Sequence, residues 1–451
     1  MSKAGFWKTD WFLGVVVVVC LVLFNRTSEL IPSLERKAYD LGVVATSRTP
    51  LDKIAIIAID DQSLANLGRW PWSREVLARL TDSLSAAKAK VVAYTVLFSE
   101  PQTDAGYTYV TKLLGMVGEG AAIAPAAPAD ATAAPEPGAP APAPASGELA
   151  QFRALLKEAE QALNTDRRLA ESFARAGNTV PMTLFDMGEP RGKPDKPLPD
   201  YLTRNSLPKV GAGMEDAILP TRKVDYPIEI LGKAAAALGH LNTTPDVDGG
   251  IRTEPLLLSH FGQVYPSLSM MVAARSLNLG VGDIKVQPGQ MVSLGKLNIV
   301  TDPLTRMYTY FYKDRDGRPA FPVDSFYDVI TGKIPVSKYQ DKIVLIGPTA
   351  PGLGSTAVTP VSPNMPPVLA LAHSVSSILS EHFFVTPPWG FWVELAVFLL
   401  IAAYLIGLLP RLRAGAGAIV TAALPNPGAV GPIRTILSWY LFTGILPVMT
   451  S

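Results

Sequence analysis

The chain has 451 residues, enough for two or three domains, and its charge is nearly balanced at 40 basic and 39 acidic residues. Without an excess of positive charge, binding to nucleic acid is not expected. The single cysteine, Cys20, lies in an apolar run, so one chain can form neither a disulfide framework nor a cysteine metal site.

Near the N-terminus, Lys3 and Lys8 precede an apolar run from Trp11 to Phe24. Basic residues before a short apolar run are typical of a cleaved signal peptide and of an uncleaved signal-anchor helix. Because no small residues follow at the spacing of a cleavage site, we expect a signal anchor. Residues 1–25 would then comprise a cytoplasmic tip and a transmembrane helix.

The next segment, Ser28 to Val44, has apolar residues at helical spacing and predicts an extension of the anchor helix. The residues predicted to share one face of this extension are Leu30, Ile31, Leu34, Ala38 and Leu41. Residues 46–52 should end the helix and lead into the first strand.

The apolar run IAIIAI, from Ile54 to Ile59, ends at Asp60 and Asp61. An unbroken apolar run predicts a strand that is covered on both faces, as parallel strands are. A helix from Arg74 to Ala87 and a second apolar strand, Val91 to Phe98, complete a βαβ unit. The sequence therefore predicts an α/β domain with a mainly parallel central sheet flanked by helices, and ligands are expected at the carboxyl ends of its strands.

Residues 121–146 are almost entirely alanine and proline, which cannot form a packed core, so they predict a disordered insertion without chemistry. Glu148 to Asn164 then predicts an amphipathic helix. The residues predicted for its inner face are Leu149, Phe152, Leu155, Leu156, Ala159 and Leu163. Strands are predicted over Asn178–Leu184 and Lys342–Ile346, and a helix over Val368–Phe384.

The C-terminal part is again apolar. Gly390 to Leu409 contains one charged residue, Glu394, and predicts a transmembrane helix within residues 389–410. Two weaker apolar blocks within residues 414–449 predict two further spans. Arg411 and Arg413 would mark the cytoplasmic side, as Lys3 and Lys8 do for the first span, so residues 26–386 are expected outside the cytoplasm.

Five stretches, taken in order, resemble the type 2 CHASE domain, an extracytoplasmic sensor domain of bacterial transmembrane receptors. They are IAIIAIDDQSLANLGRWPWSR, VVAYTVLFSEPQTD, ALGHLNTTPDVDGGIR, YPSLS and KIVLIGPTAPGLG. The resemblance covers roughly residues 26–386 and implies a multi-pass protein of the bacterial inner membrane with its main domain in the periplasm. It also implies a ligand-sensing input for a cytoplasmic output such as a serine/threonine kinase or a nucleotide cyclase. The segments FWKTDWFLG and SLERKAYDLGV are most similar to the serine/threonine kinase receptors.

The chain departs from this family pattern at Thr95 and Ser355, where aspartate is common. If those acids form a ligand or metal site in relatives, this chain either senses something else or serves as a scaffold. The alternative interpretation is therefore a non-catalytic structural subunit of a cell-envelope assembly, in which the same domain makes protein–protein contacts.

The candidate ligand-binding residues lie at a predicted strand end and within the quoted motifs. They are Asp60, Asp61, Arg69, Trp70, Arg74, Glu100, Asp248 and Arg252. Paired carboxylates suit a hard cation, but neighbours on a strand point to opposite faces. This geometry favours a turn capped by Asp61, with Asp60 paired to Arg69 or Arg74. Trp70 either stacks on a planar ligand or covers the sheet, and packing is the favoured role.

No metal or cofactor is expected. Asp246 and Asp248 begin like a calcium loop, but the later ligands are missing, so a tight turn is favoured. The segment GPTAPGLG could hold an anion with its amides, yet it lacks the lysine of a P-loop. The four histidines have no metal-ligand spacing, and no hydrolase motif is present.

The preferred interpretation is a membrane-anchored sensor that forms a homo-oligomer. Its expected partners are the lipid bilayer, an extracytoplasmic ligand or protein, and a cytoplasmic output domain. The chain contains no catalytic domain of its own, so we expect a kinase or cyclase to follow residue 451 or to be a separate protein. Ligand binding would change the relation between the segments Ser28–Val44 and Val368–Phe384, which lead to the first and second spans.

Overall fold

A computed structural model describes residues 12, 15–19, 23, 29–102, 105–120, 145–192, 197–208, 217–314, 319–385 and 389–408. The α-helices are α1 (Leu30–Ala45), α2 (Asp61–Leu67), α3 (Arg74–Ala86), α4 (Ala105–Gly120), α5 (Ala145–Leu163), α6 (Thr165–Ala176), α7 (Asp200–Thr203), α8 (Glu229–Ala234), α9 (Leu268–Ser276), α10 (Phe326–Ile330), α11 (Pro367–Leu379) and α12 (Gly390–Ala403). Short 3-10 helices span Val281–Asp283 and Val336–Tyr339, and a π-helical turn, Tyr404–Leu408, follows α12.

The strands are β1 (Ile54–Ile59), β2 (Val91–Tyr94), β3 (Thr179–Met187), β4 (Leu219–Asp225), β5 (Gly239–His240), β6 (Thr253–Pro255), β7 (Leu257–His260), β8 (Gln263–Pro266), β9 (Ile284–Gln287), β10 (Met291–Leu294), β11 (Leu297–Val300), β12 (Arg306–Thr309), β13 (Val323–Ser325), β14 (Ile343–Pro348), β15 (Ala357–Thr359), β16 (Ser362–Met365) and β17 (Phe383–Phe384).

The largest sheet of the described residues has nine strands in the order β13-β1-β14-β2-β3-β4-β7-β8, with β5 paired to β3. The strands from β13 to β3 are mutually parallel, whereas β4 runs antiparallel to β3 and β8 antiparallel to β7. The predicted α/β class with helices on the sheet is confirmed, and the sheet is mixed. Smaller antiparallel sheets have the orders β11-β10-β9 and β17-β12-β6, and β15 pairs with β16.

Helices cover both faces of the parallel strands, which explains why these strands are apolar throughout. Ile54 and Ile56 of β1 face a core that they share with α9 and α11. Ala55, Ile57 and Ile59 face a second core, which contains residues of α3, α6 and α10. Every residue of β1 is buried, because the alternating side chains of the strand enter one core or the other.

The predicted bounds of β1, α3, β3 and β14 are close to those observed. β2 is shorter than predicted and ends at Tyr94 instead of Phe98. Phe98 is nevertheless buried, because its ring packs edge-on against Tyr94 and Phe173. Phe98 is therefore apolar because it is buried in the core, and not because it belongs to a strand.

The predicted helix Val368–Phe384 is wrong at its C-terminal end. α11 ends at Leu379, and Glu381 has a φ of +52°, in the left-handed region that a continuing helix cannot adopt. Phe383 and Phe384 then form β17, antiparallel to β12. The exit from the domain is therefore a strand and not a helix.

The inner faces predicted for two helices are also partly wrong. In α1, Ala38 is buried but Leu41 is 49% exposed, so these residues do not share the face that contacts the domain. In α5, Leu156 is buried whereas Phe152 and Leu155 are 44% and 62% exposed. The main neighbour of α5 is the single helix α4, which leaves room to bury only a narrow stripe.

The predicted insertion lies outside the described residues over 121–144. So do half of the first apolar run and both blocks within 414–449, and the side chain of Glu394 is not described either. In the part of the chain covered by the structure, no helix combines the length and apolar character needed to cross a membrane.

Candidate functional site

At the carboxyl end of β1, Asp60 caps helix α2. Its carboxylate accepts the backbone N–H of Ser63 at 2.9 Å and the hydroxyl groups of Ser63 and Ser325 at 2.5 and 2.9 Å. Asp61 is exposed in the first turn of α2. The expected cap by Asp61 and ion pair of Asp60 are therefore wrong, because the extended backbone of Asp60 places its own carboxylate over the first N–H groups of the helix.

The RWPW segment packs against the second core. Trp72 is buried, donates its indole N–H to the Gly68 carbonyl at 2.8 Å, and lies 4.9 Å from the Phe326 ring. Trp70 is half-buried and edge-on to Trp72, with ring centres 5.1 Å apart. Arg69 is exposed. The packing role favoured for this segment thus fits the observed contacts.

Arg74 and Glu100 come together, but through the backbone of Glu100. The buried Arg74 guanidinium donates hydrogen bonds to the Glu100 carbonyl oxygen and to the carboxylate of Asp166. It also lies over the Phe98 ring, 5.4 Å from the ring centre. Burial lowers the pKa of Arg74, and the Asp166 carboxylate opposes that shift. The Glu100 side chain is exposed and takes no part.

Asp166 is the partner of Arg74, although the sequence did not indicate it as a site residue. It lies in the first turn of α6, where an acid is expected simply to complement the helix dipole. Its second oxygen accepts the backbone N–H of Gln102 at 3.0 Å, and the Gln102 side chain accepts the N–H of Arg74 at 2.7 Å. This network ties α3 to α6 and fits a structural role.

The other two candidate residues, Asp248 and Arg252, belong to a separate cluster that we call the arginine clamp: Asp40, Asp246, Asp248 and Arg252. The Arg252 side chain is 8% exposed and forms a two-pronged pair with Asp40 of α1, at 2.7 and 2.8 Å. A second two-pronged pair joins it to Asp248, both at 2.9 Å, and Asp246 accepts a further hydrogen bond at 2.8 Å. Arg252 thus joins α1 to the turn that precedes β6.

The charges of the clamp stabilise one another. Hydrogen bonds from Arg252 lower the pKa of Asp248 to about 2, against a smaller opposing effect of desolvation. Desolvation acts to lower the pKa of Arg252, but the hydrogen bonds to the three carboxylates outweigh it and raise that pKa. Asp248 and Arg252 are therefore both ionised at neutral pH.

The turn that presents Arg252 depends on two glycines. Gly249 has a φ of +78°, which favours glycine, and its N–H donates to the Asp246 carbonyl at 2.8 Å. At Gly250, a Cβ would lie 2.8 Å from the Arg252 guanidinium, so a side chain there would displace the clamp. The tight turn expected from this segment is confirmed.

Next to the clamp, the first and last elements of the domain touch each other. We call this region the junction, formed by Tyr39 and Gly42 of α1, Tyr310 after β12, and Phe384 of β17. The Tyr39 ring is edge-on to Phe384 with centres 5.1 Å apart, and Phe384 stacks on Tyr310 at 5.7 Å. The Tyr39 hydroxyl donates to the backbone carbonyls of Thr309 and Arg252. No local sequence pattern signals these contacts, because they join residues hundreds of positions apart.

The eight candidate residues therefore do not form one site. Arg74 packs on Phe98, in the core that also contains Ala55 and Ile57. Arg252 directly precedes β6, and β6 pairs with β12, whose Met307 lies in the core on the other face of the sheet.

The glycine-rich segment after β14 uses the N–H groups of Thr349 and Ala350 to bind the Ile59 carbonyl, at 3.0 and 3.1 Å. Within the described residues, no group of three acidic, histidine or cysteine side chains is arranged to hold a metal ion.

Two buried histidines predict a pH-dependent stability. Burial lowers the pKa of His240 and His373 to about 3, from 6.5 when exposed. The unfolded chain therefore binds more protons than the folded chain between pH 6.5 and 3, and the stability from these two groups is lost as the pH falls through that range. At pH 5 the expected loss is about 2 kcal/mol for each histidine.

The measurement is denaturant unfolding of the purified chain between pH 7.5 and 5. In the variant His373→Asn, the stability lost between pH 7.5 and 5 should be smaller by about 2 kcal/mol. An unfolding free energy that does not change over this range would contradict the assignment of both histidines as neutral core residues.

The family model of the CHASE2 domain matches the chain over residues 15–409. No curated protein and no solved structure matches the chain.

Proposed function

Because the chain belongs to the CHASE2 domain family, a family of sensor domains of signalling receptors, we propose that it is the membrane-anchored extracytoplasmic input module of a bacterial receptor. It would pass a ligand or partner signal through helices at both ends of the domain to a cytoplasmic serine/threonine kinase or nucleotide cyclase. The domain would lie in the periplasm, anchored in the inner membrane.

The contact between α1 and β17 carries this proposal. A sensor transmits a signal only if an element has two arrangements that the ligand distinguishes. The segments before α1 and after β17 are the ones predicted to cross the membrane, and the Tyr39–Phe384 contact joins α1 to β17 directly. A shift of either element would therefore displace the other directly, and no change in the packing of the core is needed.

The arginine clamp contains the contact that a ligand could change. Asp40 connects α1 to the domain through Arg252, while the Asp248 side chain is 45% exposed and accessible from solvent. A cationic ligand, or a basic side chain of a partner protein, that binds Asp248 would compete with Arg252. Because Arg252 pairs with both Asp248 and Asp40, loss of the Asp248 pair would change the position of the Arg252 guanidinium and with it the contact to α1.

A structural subunit of a cell-envelope assembly remains the second candidate, and the environment of Thr95 favours it. Thr95 is 7% exposed, and its hydroxyl donates to the Ile346 carbonyl at 3.3 Å. Asp60 is engaged in capping α2. The strand ends at which an α/β sheet usually binds ligands are thus occupied by internal contacts.

Labelling of intact cells tests the location of the domain. Val247 is 76% exposed in the turn beside the clamp, so Val247→Cys in a Cys20→Ser background offers one accessible thiol. We expect a membrane-impermeant maleimide to label this thiol in intact cells as completely as in lysed cells. Labelling that requires lysis would place the domain in the cytoplasm and contradict both candidate functions. Ser172→Cys, at a position that is 1% exposed, is the matched control and should stay unlabelled in either case.

A further inference from the structure

The outer face of α1 carries apolar side chains that the domain leaves about half exposed. The inner face is buried: Ala38 is 9% exposed and Val43 is 0% exposed. On the opposite side, Leu41 and Val44 are 49% and 46% exposed, and Lys37 is exposed beside them. An amphipathic helix on a globular domain needs only one apolar face, so the second face calls for a separate explanation.

The spacing of the outer face is that of a coiled-coil seam. In the sequence, Leu41 and Val44 end a series with steps of four, three, four and three positions: Leu30, Leu34, Lys37, Leu41 and Val44. The average step of 3.5 residues matches the repeat with which two helices pack side by side. The same seven-residue repeat continues upstream in the sequence, since Val16 and Leu23 precede Leu30 at multiples of seven. We call the five listed residues the α1 seam.

We propose that the α1 seam pairs with the α1 seam of a second copy of the chain, parallel and in register. The inference rests on the proposed function, because two copies anchored in the same membrane by the preceding segment would present α1 in the same direction and at the same height. Leu41 would then meet Leu41, and Val44 would meet Val44. A seam with this period is complementary to another helix of the same period, and a second copy supplies one.

The charges around the seam agree with such a pairing. Asp40, which lies beside the seam, is bound by Arg252, so two copies of this carboxylate would not repel each other strongly. Lys37 is the one charged residue within the seam, and it would face its own copy. A lysine at such a position lowers the stability of a coiled coil but does not prevent it, and it disfavours alternative registers that would bury the charge against leucine.

With the seam paired, changes in the clamp and in the junction would both act on the contact between the two α1 helices. The inner face of α1 contacts Phe384 and Arg252, and the outer face contacts the second copy. Release of the inner face would change the angle at which the two α1 helices cross, and the preceding segments would carry that change toward the membrane.

Disulfide scanning of the full chain in native membranes tests the pairing. Single cysteines replace Leu34, Lys37, Leu41, Val44 or, as the control outside the seam, the exposed Glu35, each in the Cys20→Ser background. Mild oxidation should convert most of the Leu41→Cys and Val44→Cys chains to disulfide-linked homodimers, because the Cα atoms of facing seam residues lie within disulfide reach. Glu35→Cys should give at least fivefold less dimer.

Several results would overturn the pairing. They are equal dimer yields at all five positions, which would indicate random collision; no dimer at Leu41→Cys and Val44→Cys; and disulfides to a different protein. The topology test keeps this failure separate from failure of the proposed function, since Val247→Cys labelled from outside together with an uncrosslinked seam would reject the pairing alone.

The variant Lys37→Leu gives a second readout that does not depend on loss of folding. Because it removes the repulsion between two facing ammonium groups, it should raise the crosslinking yield of Val44→Cys at low expression at least twofold. Leu41→Lys should lower that yield by a similar factor. An unchanged or reduced yield for Lys37→Leu would contradict a seam that faces its own copy.

Discussion

Replacing Arg252 with alanine should weaken the attachment of α1 to the domain and destabilise the folded chain by about 3 kcal/mol. The substitution leaves Asp40, Asp246 and Asp248 without their shared cation. Removing one partner of a buried ion pair costs about 3–5 kcal/mol, and the lower end is expected because the three carboxylates are 30%, 23% and 45% exposed. The amides of α1 should then exchange hydrogen faster than those of β1.

The measurements are the free energy of unfolding and hydrogen exchange of α1 in the purified chain. Arg222→Ala is the matched control, since Arg222 is 53% exposed and forms one ion pair of 3.3 Å with Asp186, for which less than about 1 kcal/mol is expected. Arg252→Lys should give an intermediate loss, because a lysine cannot form the two-pronged pairs with Asp40 and Asp248. Unchanged exchange in α1 would show that the clamp does not hold this helix.

The same substitution also separates the two candidate functions. In a chimaera that carries a nucleotide cyclase domain after residue 451, Arg252→Ala should change cyclic nucleotide production at least threefold at equal protein amounts, whereas Arg222→Ala should not. Equal production by all three proteins would contradict transmission through the clamp and favour the structural subunit.

Replacing Gly347 with alanine should cost about 3 kcal/mol, because the central strand β14 has no room for a methyl group there. A Cβ at this position would clash with the Thr95 hydroxyl and lie 3.0 Å from the Cβ of Val368 and 3.2 Å from that of Thr95. These atoms belong to Val368 of α11 and to Thr95, which directly follows β2; both residues are buried, so the two Cβ atoms cannot move away without shifting the packed elements.

Denaturant unfolding of the single and double variants measures this effect. Thr95→Ala removes the hydroxyl, so Gly347→Ala should be less destabilising in the Thr95→Ala background, although the contact with Val368 remains. Gly354→Ala is the control in the same segment, since its Cβ would meet nothing closer than Pro348 at 3.9 Å. If Gly347→Ala and Gly354→Ala behave alike, the close approach of Thr95 to Gly347 is not a constraint on this chain.

Elements that are determined by neighbouring residues could be predicted from the sequence. The run IAIIAI can be covered on both faces only as a central strand, and β1 has the predicted bounds. Helix α3 begins at the predicted Arg74, because Ser73 caps its first turn. The order of such motifs along the chain was specific enough to indicate the family, and the family match confirms that resemblance.

Contacts between distant residues were decided by the tertiary structure alone. Arg252 meets Asp40 across 212 positions of sequence, and Arg74 meets Asp166 across 92, so no spacing rule connects them. Phe384 was predicted to be helical because its local pattern is apolar, yet pairing with β12 and packing against Tyr39 place it in a strand.

Local patterns could be predicted and contacts between distant elements could not, because the two have different physical causes. Apolar period and helix caps are set by residues within one or two turns, so the sequence by itself determined the class of the fold, its central strands and its main helices. Which carboxylate meets which guanidinium depends on how whole elements pack, and this packing is fixed only when the two cores form on opposite faces of the sheet. The arginine clamp and the junction, on which the proposed function depends, therefore became visible only in the folded chain.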